Sequence, residues 1–185
     1  MRKQVDNLAV FDLDDTIYDG NSHFALLNYY YHTKIFTSFV MRAFGKIFPS
    51  LYMKLCYWAY NKIPQSDRYG FVLPYRQEVI KLMHEKLNAG YALVIVSNAP
   101  ADLLQTAGDM LNVLAIRAEF GGKAEVVAER FCYKRIFVCT DNKTDIDLLK
   151  IADEAVITCK KEDRRYFEKR LNGKKYQFID EGAER

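Results

Sequence analysis

Carboxylates are missing from one long stretch of this chain. Between Gly20 and Ser66 there is no Asp or Glu, although the whole chain has 24 of them against 27 Lys and Arg. Cysteine is also sparse. Cys56, Cys132, Cys139 and Cys159 are scattered without a CxxC pair, which argues against a structural zinc site or a disulfide framework and predicts reduced, mostly buried thiols. No uninterrupted apolar run reaches the roughly 18 residues a membrane span needs, so no transmembrane helix is expected. Met1-Arg2-Lys3 is basic, but the apolar run after it is short and runs into acidic residues, so no signal peptide is expected either. The expected location is the cytoplasm, with peripheral contact at the inner face of a membrane as an extension of that reading. The net charge of +3 does not mark a nucleic-acid binder, and no GxxxxGK[ST] loop is present for nucleotide hydrolysis. Internal repeats and low-complexity segments are absent.

What is present describes a folded enzyme-sized domain. Half of the 185 residues are hydrophobic, enough for one globular core with a modest insertion. Leu8–Phe11, Ala92–Val96 and Ile136–Thr140 are short β-branched or aromatic runs that end in polar residues, and they predict strands. Val113–Ala118 and Ala155–Thr158 are weaker strand candidates. Arg76–Asn88, Ala101–Leu111 and Thr144–Ala152 carry apolar residues at helical spacing, the first stopped by Gly90. Strands alternating with helices predict an α/β fold with a mostly parallel sheet covered on both faces. In such sheets ligands bind beyond the carboxyl ends of the strands, where strand order reverses, and that rim would hold Asp12, Ser97 and Asp141. The tail from Lys160 onward is highly charged and reads as a surface helix carrying Arg164, Arg165, Lys169 and Arg170.

The acid-free stretch breaks the alternation. It holds Lys34, Arg42, Lys46, Lys54 and Lys62, many Tyr and Phe, and the only tryptophan, Trp58. Its spacing predicts two or three amphipathic helices inserted over the rim. The division expected is a core of residues 1–17 and 76–185 and a cap of residues 18–75.

Asp12-Leu13-Asp14-Asp15-Thr16 places paired carboxylates directly after the first strand, a pattern suited to metal binding and acid/base work. Taken alone it equally describes a solvated acidic turn. In order along the chain follow Ser97 in Val-Ile-Val-Ser-Asn, Lys123 after Gly121-Gly122, and Asp141 with Asp145. Together these four segments resemble the motifs of the haloacid dehalogenase superfamily, whose phosphatases open with DxDx[TV]. The resemblance spans residues 7 to 158 and points to the branch that includes phosphoserine phosphatases and bacterial phosphatidylglycerophosphatases. It implies a Rossmann-like core with a helical cap inserted after the first strand, and a phosphatase working through an aspartyl-phosphate. Asp12 would be the nucleophile and Asp14 the general acid and base. Mg²⁺ would be held by Asp12, the Asp14 backbone carbonyl and Asp141. Thr16, Ser97, Asn98 and Lys123 would bind the phosphoryl group, and Asp145 would orient Lys123 or a metal-bound water from behind.

The chain departs from the family pattern at Asp15, where many members carry Gly; it is expected to point away from the phosphate. Asn142 and Thr144 also replace the usual Gly and Asn. The interval from Ser97 to Lys123 has room for only one helix and one short strand. A calcium loop at Asp141–Asp145 is excluded by Lys143 and Ile146 at positions that need an oxygen ligand and a Gly. A phosphoreceiver domain is excluded by Lys123 preceding Asp141. His23, His32 and His84 lack metal-ligand spacing and read as surface or cap residues. The implied substrate is a phosphate monoester; the basic, aromatic cap reads either as its own packed core with a rim that attracts phosphate or as a surface for an anionic membrane and a lipid-linked or amphiphilic substrate. A small phosphoserine-like metabolite, or a catalytically silent membrane- or partner-binding module, are the alternatives. A pocket for phosphoserine would need a carboxylate for the amino group, and the cap interior is expected to supply none.

Overall fold

A computed structural model describes residues 2–180 of the chain. In chain order the elements are β1 (Lys3–Gln4), β2 (Asn7–Phe11), α1 (Ser22–Tyr30), α2 (Phe39–Ile47), α3 (Pro49–Lys62), α4 (Gln65–Arg68), α5 (Gln77–Asn88), β3 (Ala92–Ser97), α6 (Ala101–Leu111), β4 (Leu114–Arg117), α7 (Lys123–Arg130), β5 (Phe131–Cys132), β6 (Arg135–Thr140), α8 (Ile146–Ile151), β7 (Glu154–Cys159), α9 (Lys161–Glu168) and β8 (Tyr176–Asp180). Six strands form one parallel sheet in the order β4-β3-β2-β6-β7-β8, and β1 pairs with β5 in a separate two-stranded ribbon.

Strict alternation along the strands gives the sheet two dry faces. Leu8 and Val10 of β2, Val94 and Val96 of β3 and Ile136 and Val138 of β6 pack with Val127, Leu148, Leu149 and Phe167 from α7, α8 and the start of the tail. The intervening residues Ala9, Phe11, Ile95 and Phe137 face the other way, onto Val79 and Met83 of α5 and Leu104 and Ala107 of α6. A parallel sheet needs cover on both sides, and this period-two division supplies it. Fully burying one such side chain is worth about 2 kcal/mol.

Strand order reverses beside β2. The chain proceeds from β2 outward through β3 and β4, then returns to the opposite flank of β2 for β6, β7 and β8. The cleft between the carboxyl ends of β3 and β6, over β2, is therefore the switch point at which such sheets bind ligands.

Between β2 and α5 the chain leaves the core for α1–α4. It goes out at Tyr18 and comes back at Tyr75, where the two residues form an antiparallel bridge and their rings stack at 5.5 Å. Arg76 N–H donates to the Ile17 carbonyl and Asp19 N–H to the Pro74 carbonyl, so the two legs run side by side. The helices outside this neck have their own core of Leu26, Leu27, Tyr52, Cys56, Tyr60 and Ile63, to which α6 contributes Leu103. Arg68 pairs with Asp102 at 3.0 Å and Gly70 N–H donates to Thr106 at 2.9 Å, pinning this cap to α6.

Some expectations change at the tail. The helix α9 carries Arg164 and Arg165 but ends at Glu168, so Lys169 and Arg170 lie beyond it. The chain then turns at Gly173 and adds an edge strand, β8, that the charged composition hid. Residues 181–185 lie outside the described residues. None of the four cysteines forms a disulfide; three are buried and Cys132 is exposed. Among the described residues no helix is long and apolar enough to cross a membrane.

Candidate active site

Asp12 is the first residue after β2, and its N–H makes the last rung of the ladder to Cys139 of β6, at 2.9 Å. The chain then makes a single wide turn over Leu13–Ile17, closed by Tyr18 N–H on the Leu13 carbonyl. Asp15 adopts the left-handed region with φ of 53°, a conformation that Asp and Asn tolerate better than branched residues. This twist brings Asp12, Asp14 and Asp15 onto one cleft, which Ser97, Asn98, Asp141 and Asn142 line from the neighbouring strand ends. The cleft has a volume of about 240 Å³, and Asn21, His23, Phe24, Met53 and Tyr57 of the cap line it with Phe120.

Lys123 is the hub of the floor. Gly121, at φ of 72°, turns the chain so that α7 begins at Lys123. The interval after Ser97 holds α6 and β4, as its length allowed. The ammonium is 1% exposed and donates to Asp12 Oδ2 at 2.5 Å and to Asp145 Oδ2 at 2.7 Å. Burial alone would lower its pKa, but the two carboxylates outweigh that and hold it above the ordinary lysine value. The other oxygen of Asp12 accepts the Leu13 N–H at 2.7 Å. Thr140 donates to Asp145 at 2.6 Å and stands 3.4 Å from Asp12. Sequence reasoning passed over Thr140, although it closes the third strand run immediately before Asp141.

Asp14 accepts the Ser22 N–H at 2.8 Å, which ties the turn to the start of the cap. Burial pushes its carboxyl up to about 7, with the Asp12 and Asp15 charges adding to the effect. Burial and the nearby Asp12 likewise raise Asp141 well above the usual carboxylate range, and burial raises Asp145.

One sequence reading needs correction. Thr16 is fully buried, and its hydroxyl donates to Asp141 Oδ1 at 3.1 Å. It therefore supports Asp141 from beneath and is not positioned to bind a phosphoryl group. Asp15 borders the cleft, and its carbonyl accepts from Thr158 at 3.1 Å. His23 sits in the cap but is not a surface residue; it is buried, with ring centroids of Tyr57 and Tyr60 each at 5.0 Å. His32 and His84 are exposed. Ser97 is buried at the cleft wall, where its Oγ accepts the Ala99 N–H at 3.3 Å. Asn98 lines the same wall with its amide nitrogen donating to the Ala118 carbonyl at 2.7 Å.

The donor set bears on the metal expectation. Among the described residues no three His, Cys, Asp or Glu side chains converge as a metal-ligand group, whereas a zinc site asks for three or four such ligands. Mg²⁺ asks for less: one or two carboxylates, with waters and phosphate oxygens completing the shell. Asp12, Asp14, Asp15 and Asp141 share the cleft, and the buried Lys123 beneath it pairs only with Asp12 and Asp145. That surplus of negative charge is what a hard cation would balance, so the residues fit magnesium.

The architecture is that of a Rossmann-like α/β protein with a mostly parallel sheet between helical layers. A protein of unknown function from Bordetella pertussis Tohama I shares it, with a TM-score of 0.60 and 14% identity over 96% of this chain and 100% of that one. No family model and no curated protein matches the chain.

Proposed function

We propose that the protein is a magnesium-dependent phosphomonoester hydrolase of the haloacid dehalogenase type. The observation that carries this reading is the placement of Asp12 at the switch point, held by the buried Lys123, with Asp14 and Asp141 on the same cleft. A carboxylate fixed between a lysine and a backbone N–H is aimed as a nucleophile rather than left as a solvated turn.

In the first step an Asp12 oxygen forms a bond to phosphorus and the bond from phosphorus to the leaving oxygen breaks. Asp14 gives its proton to that oxygen, releasing an alcohol. In the second step the Asp14 carboxylate takes a proton from water as the water oxygen bonds to phosphorus. The bond to Asp12 breaks, and inorganic phosphate leaves. An Asp14 carboxyl raised to about 7 is protonated often enough at neutral pH to serve as the acid. Lys123 places positive charge beside the nucleophile, and Ser97 offers a hydroxyl at the wall. Asp145 and Thr140 keep the lysine in place from behind. Asp12 and Asp141 through their carboxylates, and Asp14 through its backbone carbonyl, would hold Mg²⁺. The ion would supply positive charge against the repulsion of two anions, about 4 kcal/mol for unit charges about 4 Å apart at an effective dielectric of about 20.

The mouth of the cleft supports an apolar or amphiphilic leaving group. His23, Phe24, Met53 and Tyr57 line its cap side, and no cap carboxylate is there to meet a substrate ammonium. A broad groove of about 1170 Å³ shares Asp15, Asn21, Phe24 and Met53 with the cleft and continues beneath α2.

The test is hydrolysis of p-nitrophenyl phosphate and of a series of alkyl phosphates of increasing chain length. Activity should require Mg²⁺, rise in kcat/KM with chain length, and fall by on the order of a thousandfold or more in Asp12→Asn. Wild type as inactive as Asp12→Asn on every phosphate monoester would end the hydrolase reading.

A further inference from the structure

Helix α2 buries none of its residues fully. Its inner side, Met41 and Phe44, packs on the cap core, while Phe39 (84% exposed), Val40 and Ile47 face solvent. Arg42 and Lys46, four apart, flank that outer apolar face and are both exposed. Helix α3 carries two apolar stripes. Tyr52, Cys56, Ala59 and Tyr60 are buried, whereas Leu51, Leu55 and Trp58, at i, i+4 and i+7, are exposed. Lys54 and Lys62 fall on the same outer side, and the Lys62 ammonium lies 5.6 Å from the centroid of the Trp58 ring. Ile47, Phe48 and Leu51 join the two exposed faces at the corner of the hairpin. Ten of the 17 large hydrophobic side chains exposed among the described residues fall between Tyr29 and Trp58, so the apolar surface is concentrated in the cap.

We propose that the outer face of the α2–α3 hairpin docks onto an anionic lipid bilayer. Charge decides between occupants. The charged side chains of the hairpin itself, Arg42, Lys46, Lys54 and Lys62, are all cationic, and no carboxylate exists from Gly20 to Ser66. A second copy presenting the same face would set these cations against their own kind. An anionic headgroup layer pairs with the cations while the interface takes the Phe, Leu and Ile side chains, and Trp is at home at headgroup depth. An exposed apolar helix face with basic borders is the physical description of such an interfacial segment. The face also bears on the cleft: Phe39, Arg42 and Lys46 border the groove that leads to Asp15. A docked hairpin therefore presents that groove to the lipid. The docking itself does not depend on the hydrolase reading and is measured without turnover.

Trp58, 64% exposed and the only tryptophan in the chain, is a built-in probe. The full chain is mixed at low salt with vesicles of phosphatidylcholine alone, or with an equal part of phosphatidylglycerol, and followed by flotation and by tryptophan emission. Flotation with the anionic vesicles only, a blue shift of Trp58, and quenching by lipids brominated along the acyl chain are expected. Each basic residue near such a surface contributes about fivefold in affinity, the equivalent of about 1 kcal/mol. Lys46→Gln, Lys54→Gln and Lys62→Gln combined should therefore weaken binding on the order of a hundredfold. All three lysines are exposed, so the variant should fold; its circular dichroism and melting temperature check this. Absence of flotation at low salt, equal binding to neutral vesicles, or undiminished binding by the folded triple variant would overturn the proposal. So would a concentration-dependent dimer that shields Trp58 without lipid.

Discussion

The floor of the core and the outside of the cap handle charge and apolar surface in opposite ways. On the floor, charged groups are buried and held by partners: Lys123 meets Asp12 and Asp145, and Thr140 and Thr16 donate to Asp145 and Asp141. On the outside of the cap, apolar side chains are exposed and unanswered, and the cations around them have no nearby acid in sequence. A paired charge in a dry place fixes geometry, because moving either partner leaves the other desolvated and alone. An exposed apolar face with cations fixes nothing within the molecule. It is complementary to something outside it.

The contrast is broken most severely at Lys123. Lys123→Met removes the cation from between two buried carboxylates and should cost about 3–5 kcal/mol by urea unfolding. Adding Asp145→Leu should recover part of that stability without recovering hydrolysis, which separates the structural use of the lysine from its use in the reaction. Next in size is a pH effect at His23. Burial lowers this imidazole from 6.5 to about 4. As pH falls from about 6.5 to about 4, the unfolded chain takes up a proton that the folded chain refuses, so stability drains away across that window, by up to about 3 kcal/mol. Above it the ring is neutral in both states and contributes no slope. Unfolding midpoints of wild type and His23→Phe should diverge on acidification, with the variant less acid-sensitive. The smallest effect is expected at Leu55→Ser on the outer stripe, within about 0.5 kcal/mol of wild type in stability. A large loss of stability there would mean that this face is packed after all, and the comparison would fail.

The strands and the rim were legible because parallel strands are short, dry and β-branched, and because each candidate run ended in the polar residue that reaches the cleft. Strand β8 was not, since its alternate residues are only half-buried at the sheet edge and its neighbours are charged. Thr16 was misjudged for a different reason. A motif position says that a hydroxyl belongs near the site, but whether it points up at the ligand or down at Asp141 depends on the turn, and the turn is set by Asp15 in a left-handed conformation that no spacing rule reveals. Thr140 was missed because a threonine at a strand end reads as strand propensity; its bond to Asp145 exists only once α8 has folded back. His23 needed the third dimension too: its burial comes from Tyr57 and Tyr60, more than thirty residues away along the chain.

The bridge between Tyr18 and Tyr75 has a consequence for how such a molecule can be rebuilt. Because exit and re-entry are neighbours joined by hydrogen bonds, the sheet experiences everything in between as a single tight corner. Graft experiments could exchange the lid at that corner for another of different taste, leaving strand order and the acidic floor untouched, so recognition and reaction in this scaffold are free to diversify separately.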